Sequence, residues 1–157
     1  EGGEDIAYAL YLLARVGRAS VADLRYYADA KRLAFSTPQA RAQLGAALAS
    51  YGDTLRADTM FRAAVSGLDR GTPDRRWRAD FGSALSDRAA VLRYAVEAGS
   101  AAVDTEALAR SLTAERGLST QEAAQVLLAA DSLRGGGSLP GLTVDGTPAT
   151  DPVVHRL

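Results

Sequence analysis

The sequence contains no cysteine and only one histidine. The first absence excludes disulfides, thiolate metal sites and a cysteine nucleophile together. It does not set the compartment, because disulfide-free proteins are common on both sides of a membrane. The single histidine, His155, sits in an irregular tail where nothing places it beside a nucleophile and an orienting carboxylate. One imidazole and carboxylates scattered along helix faces make no ligand set for zinc or a transition metal, and no run of closely spaced Asp and Asn around a Gly forms a calcium loop. The longest uncharged apolar stretch, Ile6 to Ala14, is well short of the roughly 18 residues a membrane span needs. A formal net charge of −1 lacks the basic excess that phosphate backbones demand, so nucleic acid is not expected as a partner. No catalytic, cofactor-binding or metal-binding residue is therefore expected, and the chain does not read as an enzyme.

What the sequence does contain is Ala and Leu. The hydrophobic fraction of 47% supports a buried core, and the scarcity of Val and Ile favours helix over sheet, since β-branched side chains lose more freedom in a helix. Periodicity and punctuation predict seven helices. The first runs from about Asp5, its cap, to Val16 before Gly17. The second opens with the Ser20–Asp23 capping pattern and fades near Arg32. The third starts at Thr37-Pro38, with proline at a position where its missing N–H costs nothing, and stops at Tyr51-Gly52. The fourth is capped by Asp53 or Thr54 and ends near Gly67. After a polar connection from Asp69 to Gly82, a fifth helix spans about Ala84 to Ala98, a sixth about Asp104 to Arg116, and a seventh opens on the capping box Ser119–Glu122 and ends in Gly135-Gly136-Gly137. Residues 1–134 thus read as one helical segment. Residues 135–157 read as a linker and the start of a different domain, with Leu142-Thr143-Val144 as a strand turning at Asp145-Gly146. The start at Glu1 rather than Met reads as a processed chain or a piece of a longer one.

The helices alternate in character. The first, third and seventh are apolar nearly all round (Ile6, Leu10, Leu12 and Leu13; Leu44, Ala47, Leu48 and Tyr51; Val126, Leu127, Leu128 and Ala130). The second, fourth and sixth are amphipathic and more charged. A helix apolar on every side is buried on every side, whereas a single apolar stripe marks an outer helix. The alternation predicts an all-α fold of helical hairpins in inner and outer layers, a partial αα-toroid, with a short β-like C-terminal tail. The fifth helix fits less well, because Arg88, Arg93 and Glu97 give it a polar edge. Within the third and fourth helices, Gly45, Ala57, Phe61 and Ala64 fall at tetratricopeptide spacing, with Leu48 and Tyr51 in register. One such stretch predicts a close-packed hairpin rather than a repeat array.

Three further constellations have inexpensive explanations. Arg70, Arg75, Arg76 and Arg78 around Trp77 could serve a single strand, but the simpler expectation is that Trp77 and Phe81 anchor the loop while the arginines stay solvated. Gly135 to Gly137 closes a helix rather than opening one, unlike a phosphate loop. Asp87, Asp104 and Glu122 could be read as toroid-mouth carboxylates, but each sits at a helix start, where capping and the macrodipole account for it.

Taken in order, these residues resemble a family. The run Asp5 to Arg15 followed by Asp23-Leu24-Arg25-Tyr26, then Thr37-Pro38 through Ala42-Gln43-Leu44 and Leu48 to Asp53, is similar to the thioester domain of bacterial alpha-2-macroglobulins. So are Asp80-Phe81-Gly82-Ser83 through Asp87 and Ala89, where Tyr is more usual than Phe81, and Leu118 to Glu122 leading to Leu142 to Gly146. The resemblance covers about residues 5 to 146 and implies the C-terminal half of that domain, an αα-toroid. It also implies a large periplasmic or extracellular parent, anchored at the inner membrane in many members, that traps proteases in envelope defence beside a peptidoglycan synthase. In that family a bait region is cleaved and a Cys–Gln thioester captures the protease. The thioester motif lies upstream of the matching region and this chain has no cysteine, so no functional residue carries over. A free-standing tetratricopeptide-like interaction module is the alternative. Inner helices open at both edges predict self-association of the isolated segment, as a dimer that closes the ring.

Overall fold

The computed structural model describes residues 3–69 and 81–135, together with the backbone of 143–144 and 147–148. Seven α-helices are found among the described residues: α1 (Gly3–Arg15), α2 (Val21–Ala30), α3 (Pro38–Ser50), α4 (Thr54–Asp69), α5 (Ala84–Ala98), α6 (Thr105–Thr113) and α7 (Thr120–Leu133). Their starts follow the capping chemistry. Ser20 accepts from the Asp23 amide, Thr37 from Ala40 with Pro38 in the first turn, Asp104 from Ala107, and Ser119 from Glu122, which satisfies amides that a helix start leaves unpaired. Of the expected stops, Gly17, Gly52, Gly99 and Gly117 have positive φ, the conformation glycine enters without steric cost, whereas Gly67 lies inside α4, which continues to Asp69.

Three boundaries differ from expectation. Helix α1 begins at Gly3, so Asp5 lies inside its first turn rather than at its cap. The reason is tertiary: Gly3 is buried against the segment after α2, and a Cβ there would come within 2.0 Å of the Ala34 carbonyl oxygen. Helix α2 ends at Ala30 and a 3-10 turn, Arg32–Ala34, follows, delivering the fully buried Phe35. Helix α6 stops at Thr113, short of Arg116.

Helices α1, α3, α5 and α7 pack side by side in that order, while α2 lies on α3, α4 on α3 and α5, and α6 on α5. The core divides accordingly into three clusters. Leu10, Leu24, Phe35, Leu44 and Leu48 fill the space between α1, α2 and α3. Phe61, Ala64, Val91 and Ala95 fill that between α3, α4 and α5. Leu85, Leu92, Leu112 and Ala129 fill that between α5, α6 and α7. Outer helix α4 therefore seats between inner helices α3 and α5, while α2 and α6 lie mainly on α3 and on α5, which gives the two-layer array of hairpins that the alternation predicts.

Helix α5 belongs fully to the inner row. Its polar edge is accommodated by pairing, Arg88 with Glu115 at 2.6 Å and Arg93 with Glu97 at 2.8 Å. The α3–α4 hairpin is as close as its spacing implies. A Cβ on Gly45 would lie 3.1 Å from the Phe61 ring and 3.3 Å from the Ala57 carbonyl.

Burial of the inner helices on every side needs correction. It holds for α3. Helix α1 leaves Ile6, Leu12 and Leu13 exposed, and α7 leaves Leu127 and Leu128 exposed, because these two helices end the row and each has an inner neighbour on one side only. Beyond α7, Thr143–Val144 pairs antiparallel with Thr147–Pro148, Val144 opposite Thr147, so Thr143 and Val144 form a strand as expected, while Leu142, Asp145 and Gly146 lie outside the described residues.

Candidate functional site: the polar bridge on the inner face

Helix α3 supplies small residues to the inner face. Ala42 and Ala46 are buried there beside Tyr11 of α1 and Tyr94 of α5. With so little side chain on the middle helix, its two neighbours meet across it. The rings of Tyr11 and Tyr94 contact edge-to-face with centroids 4.8 Å apart, a favoured aromatic geometry. Helices α1 and α5 therefore touch through this ring pair.

Polar groups complete the bridge. The Tyr11 hydroxyl donates to Glu97 Oε2 at 2.6 Å and accepts from Arg15 Nη1 at 3.3 Å. Glu97 Oε1 accepts from Arg93 Nε at 2.8 Å, and the Arg93 guanidinium lies 5.1 Å from the Tyr94 ring centroid. Gln43 of α3, 2% exposed, donates through Nε2 to the Tyr94 hydroxyl at 3.2 Å. Burial, reinforced by the donation to Glu97, pushes the Tyr11 phenol up to about 12. Burial also raises the Tyr94 phenol. Both rings therefore stay neutral at physiological pH and act as hydrogen-bonding struts rather than as acids. Nothing in the bridge pairs a nucleophile with a base, so its chemistry is positional.

The bridge separates two clefts. One, of about 420 Å³, lies toward the C-terminal ends of the inner helices, floored by alanines and edged by Arg15, Ser50 and Glu97. The other, of about 290 Å³, lies toward the N-terminal ends of α1 and α3 and reaches Gln125 and Leu128 of α7. An uninterrupted groove along the inner face, which a peptide-binding adaptor would use, is blocked by the tyrosine pair.

The residues singled out from the sequence go elsewhere. Asp104 caps α6. Glu122 closes the α7 capping box and also accepts from the Ser83 hydroxyl, the α5 cap, at 2.6 Å, so one carboxylate ties two inner helix starts. The Ser83 hydroxyl, followed by the Ser119 amide and hydroxyl, holds the Glu122 carboxyl below its usual range. Asp87 is fully buried in the first turn of α5. Phe81 stands 70% exposed with φ of 53°, so it does not anchor the preceding loop by burial. Trp77, Arg70, Arg75, Arg76, Arg78 and His155 lie outside the described residues, as do Gly136 and Gly137, while Gly135 follows the end of α7 with positive φ. Among the described residues no group of three or more His, Cys, Asp or Glu could hold a metal ion.

The bridge residues did not stand out in the sequence. The available signal was Gln43, a long polar side chain between Ala42 and Leu44 of an Ala- and Leu-rich helix, since a buried amide needs a partner.

No family model matches the sequence, and no curated protein matches it. Solved structures do. Native E. coli alpha-2-macroglobulin contains a segment that superposes with a TM-score of 0.73 at 30% identity, covering 84% of this chain and 8% of that one. Salmonella alpha-2-macroglobulin reacted with methylamine matches with a TM-score of 0.67 at 32% identity, over 83% of this chain and again 8% of that protein. In sequence and in fold, this chain is similar to a helical segment of bacterial alpha-2-macroglobulins, and it spans 8% of the length of those it matches.

Proposed function

We propose that this chain is a non-catalytic structural segment of a bacterial alpha-2-macroglobulin-like protease trap, corresponding to the C-terminal half of its thioester domain. The observation that carries the reading is the superposition of 84% of the chain on E. coli alpha-2-macroglobulin with a TM-score of 0.73 at 30% identity. In this reading residues 1–134 form the helical segment and 135–157 lead into a following β domain. The inner row, cross-braced by Tyr11, Glu97 and Tyr94, serves as a rigid body that holds its surroundings in place while the rest of the parent rearranges around a captured protease. Any covalent capture rests on residues outside this cysteine-free chain.

The same reading places the parent in the periplasm or outside the cell, acting in envelope defence with proteases as its partners and a peptidoglycan synthase beside it. Among the described residues no helix is long and apolar enough to cross a membrane. The exposed edges of α1 and α7 are where the isolated segment would self-associate, a point light scattering against concentration would decide.

The test is made on the full open reading frame. Mixed with an endopeptidase, the full-length protein is expected to retain it through gel filtration. The retained protease should still cleave a short chromogenic peptide but lose most of its activity on a large protein substrate. A reading frame that codes for these 157 residues alone, or a protease neither retained nor shielded, would overturn the proposal.

A further inference from the structure

Helix α7 is attached to the fold differently from the other inner helices. It packs on α5 and hardly on α6, and Ala129 is its one buried residue. Helix α1, the opposite end of the row, buries five, Leu10 and Tyr11 among them. Ala129 enters the cluster formed by Leu85 and Leu92 of α5 and Leu112 of α6, so the apolar seat belongs almost wholly to the other two helices. At the start of α7 the attachment is polar. Glu122 Oε1 accepts from the Ser83 hydroxyl at 2.6 Å, while its Oε2 accepts from the Ser119 amide at 2.9 Å. One oxygen thus faces the cap of α5 and the other closes the first turn of α7. The link from α6 passes through Gly117, whose φ is positive, a turn that makes no demand on the docked position of α7.

From this arrangement we infer that α7 is a detachable strap, latched to α5 by the Glu122–Ser83 bond, which undocks as one unit while α1 to α5 stay folded. Two features set this apart from the fraying of any terminal helix. The apolar grip is small, and an element with few buried contacts opens at low cost. The latch is a short hydrogen bond to a charged group, which is worth more than a neutral one, and it sits on the residue that also caps the strap. Release at Ser83 therefore frees the end of α7 that its own capping box holds rigid. Undocking uncovers Leu85 and Leu92, an apolar strip of α5 that the closed form hides. The strap is thus a device that presents or conceals that strip. It rests on the helix contacts alone and stands or falls separately from the protease-trap reading.

The test is native-state hydrogen exchange on the 157-residue chain, read amide by amide by NMR. In the wild type, α7 amides are expected to exchange together and about a hundredfold faster than those of α3, as a separate opening unit does. Ser83→Asp keeps a side-chain cap for α5 but sets a carboxylate against Glu122 in place of a donor. It should accelerate exchange across α7 about tenfold, the loss of one charge-assisted bond, with α3 unchanged. Glu122→Gln alone keeps a capping-box side chain and weakens the latch to a neutral bond, so about a threefold acceleration is expected. Combined with Ser83→Asp it removes the repulsion and restores a donor, bringing α7 back to within about threefold of wild type. Equal exchange of α7 and α3 in the wild type overturns the inference. So does wild-type exchange of α7 in Ser83→Asp, or the absence of rescue in the double variant. Acceleration in α3 equal to that in α7, in either single variant, would mean that α7 opens only with the whole fold and equally overturns it.

Discussion

Helices α3 and α7 are close in composition and opposite in circumstance. Both are rich in Ala and Leu, both start on a hydroxyl cap, and both belong to the inner row. Nine residues of α3 are buried, from Pro38 to Leu48. In α7 only Ala129 is, and Leu127 is 70% exposed. The difference is one of position. Helix α3 has α1, α2, α4 and α5 around it, whereas α7 packs mainly on α5. Apolar sequence thus marks what a helix can bury, and the neighbours decide what it does bury. The α3–α4 hairpin is the stable centre, and α7 is a helix held by one face and its cap.

The largest effect expected from this contrast is in the core. Leu48→Ala, at a site with 0% exposure, should cost about 2–5 kcal/mol in urea unfolding, while Leu127→Ala should stay within about 0.5 kcal/mol. Equal costs would erase the distinction between centre and edge. Next is Gly45→Ala. Its new methyl meets the Phe61 ring and the Ala57 carbonyl, so a loss of about 1–3 kcal/mol is expected. Adding Phe61→Leu should cost less than the sum of the two single changes, because the sites touch. Strict additivity would show that the ring yields without strain.

Smaller and more local is Ser119→Ala, which removes the α7 cap and should cost about 1 kcal/mol. The loss should appear as faster hydrogen exchange across α7 with α3 unchanged, as expected when an edge element opens by itself. Uniform acceleration in both helices would mean that α7 unfolds only with the centre.

The smallest effects concern pH. Asp53 lies between Arg25 at 2.8 Å and Arg56 at 3.2 Å, and Arg56 reaches on to Asp29, linking α2 to α4. The bond from Arg25 holds the Asp53 carboxyl below its usual range. A depressed carboxyl pKa contributes stability that is present above its unfolded value and is lost as pH falls through its folded one. The acid limb should therefore be shallower in Asp53→Asn. The sign reverses at the alkaline end. The unfolded chain releases the Tyr11 proton near 10.0, and the folded chain holds it to about 12, so stability falls as pH rises across that window. Tyr11→Phe should flatten this fall, and an unchanged alkaline limb would mean that the bridge contributes no differential protonation.

Much of this was legible in advance because helix ends are local chemistry. The hydroxyl caps at Ser20, Thr37 and Ser119 and the glycine stops at Gly17, Gly52 and Gly99 depend on residues within one turn and fall where the sequence puts them, whereas α4 runs through Gly67 and α6 ends before Gly117. The inner and outer assignment was legible from the width of the apolar face for every helix but α5, whose polar edge of Arg88, Arg93 and Glu97 obscured its place in the inner row. The bridge was not. Tyr11 and Glu97 are 86 residues apart, and nothing near either one announces the other. Glu122 was half legible: its capping box could be read, but its bond to Ser83, across 39 residues, could not.

The sequence alone determined that this chain is helical, where most helices start and stop, which form the inner row, and that its motifs run in the order of a bacterial alpha-2-macroglobulin domain. These follow from backbone propensity, capping and periodicity, which act over a few residues. Only the tertiary structure decided that α1 and α7 are open edges, that α1 begins early because Gly3 fits beneath Ala34, and that small residues on α3 let Tyr11 and Tyr94 meet above it. Those outcomes depend on which surfaces lie within contact distance, and local propensity holds no information about distance between segments far apart in the chain.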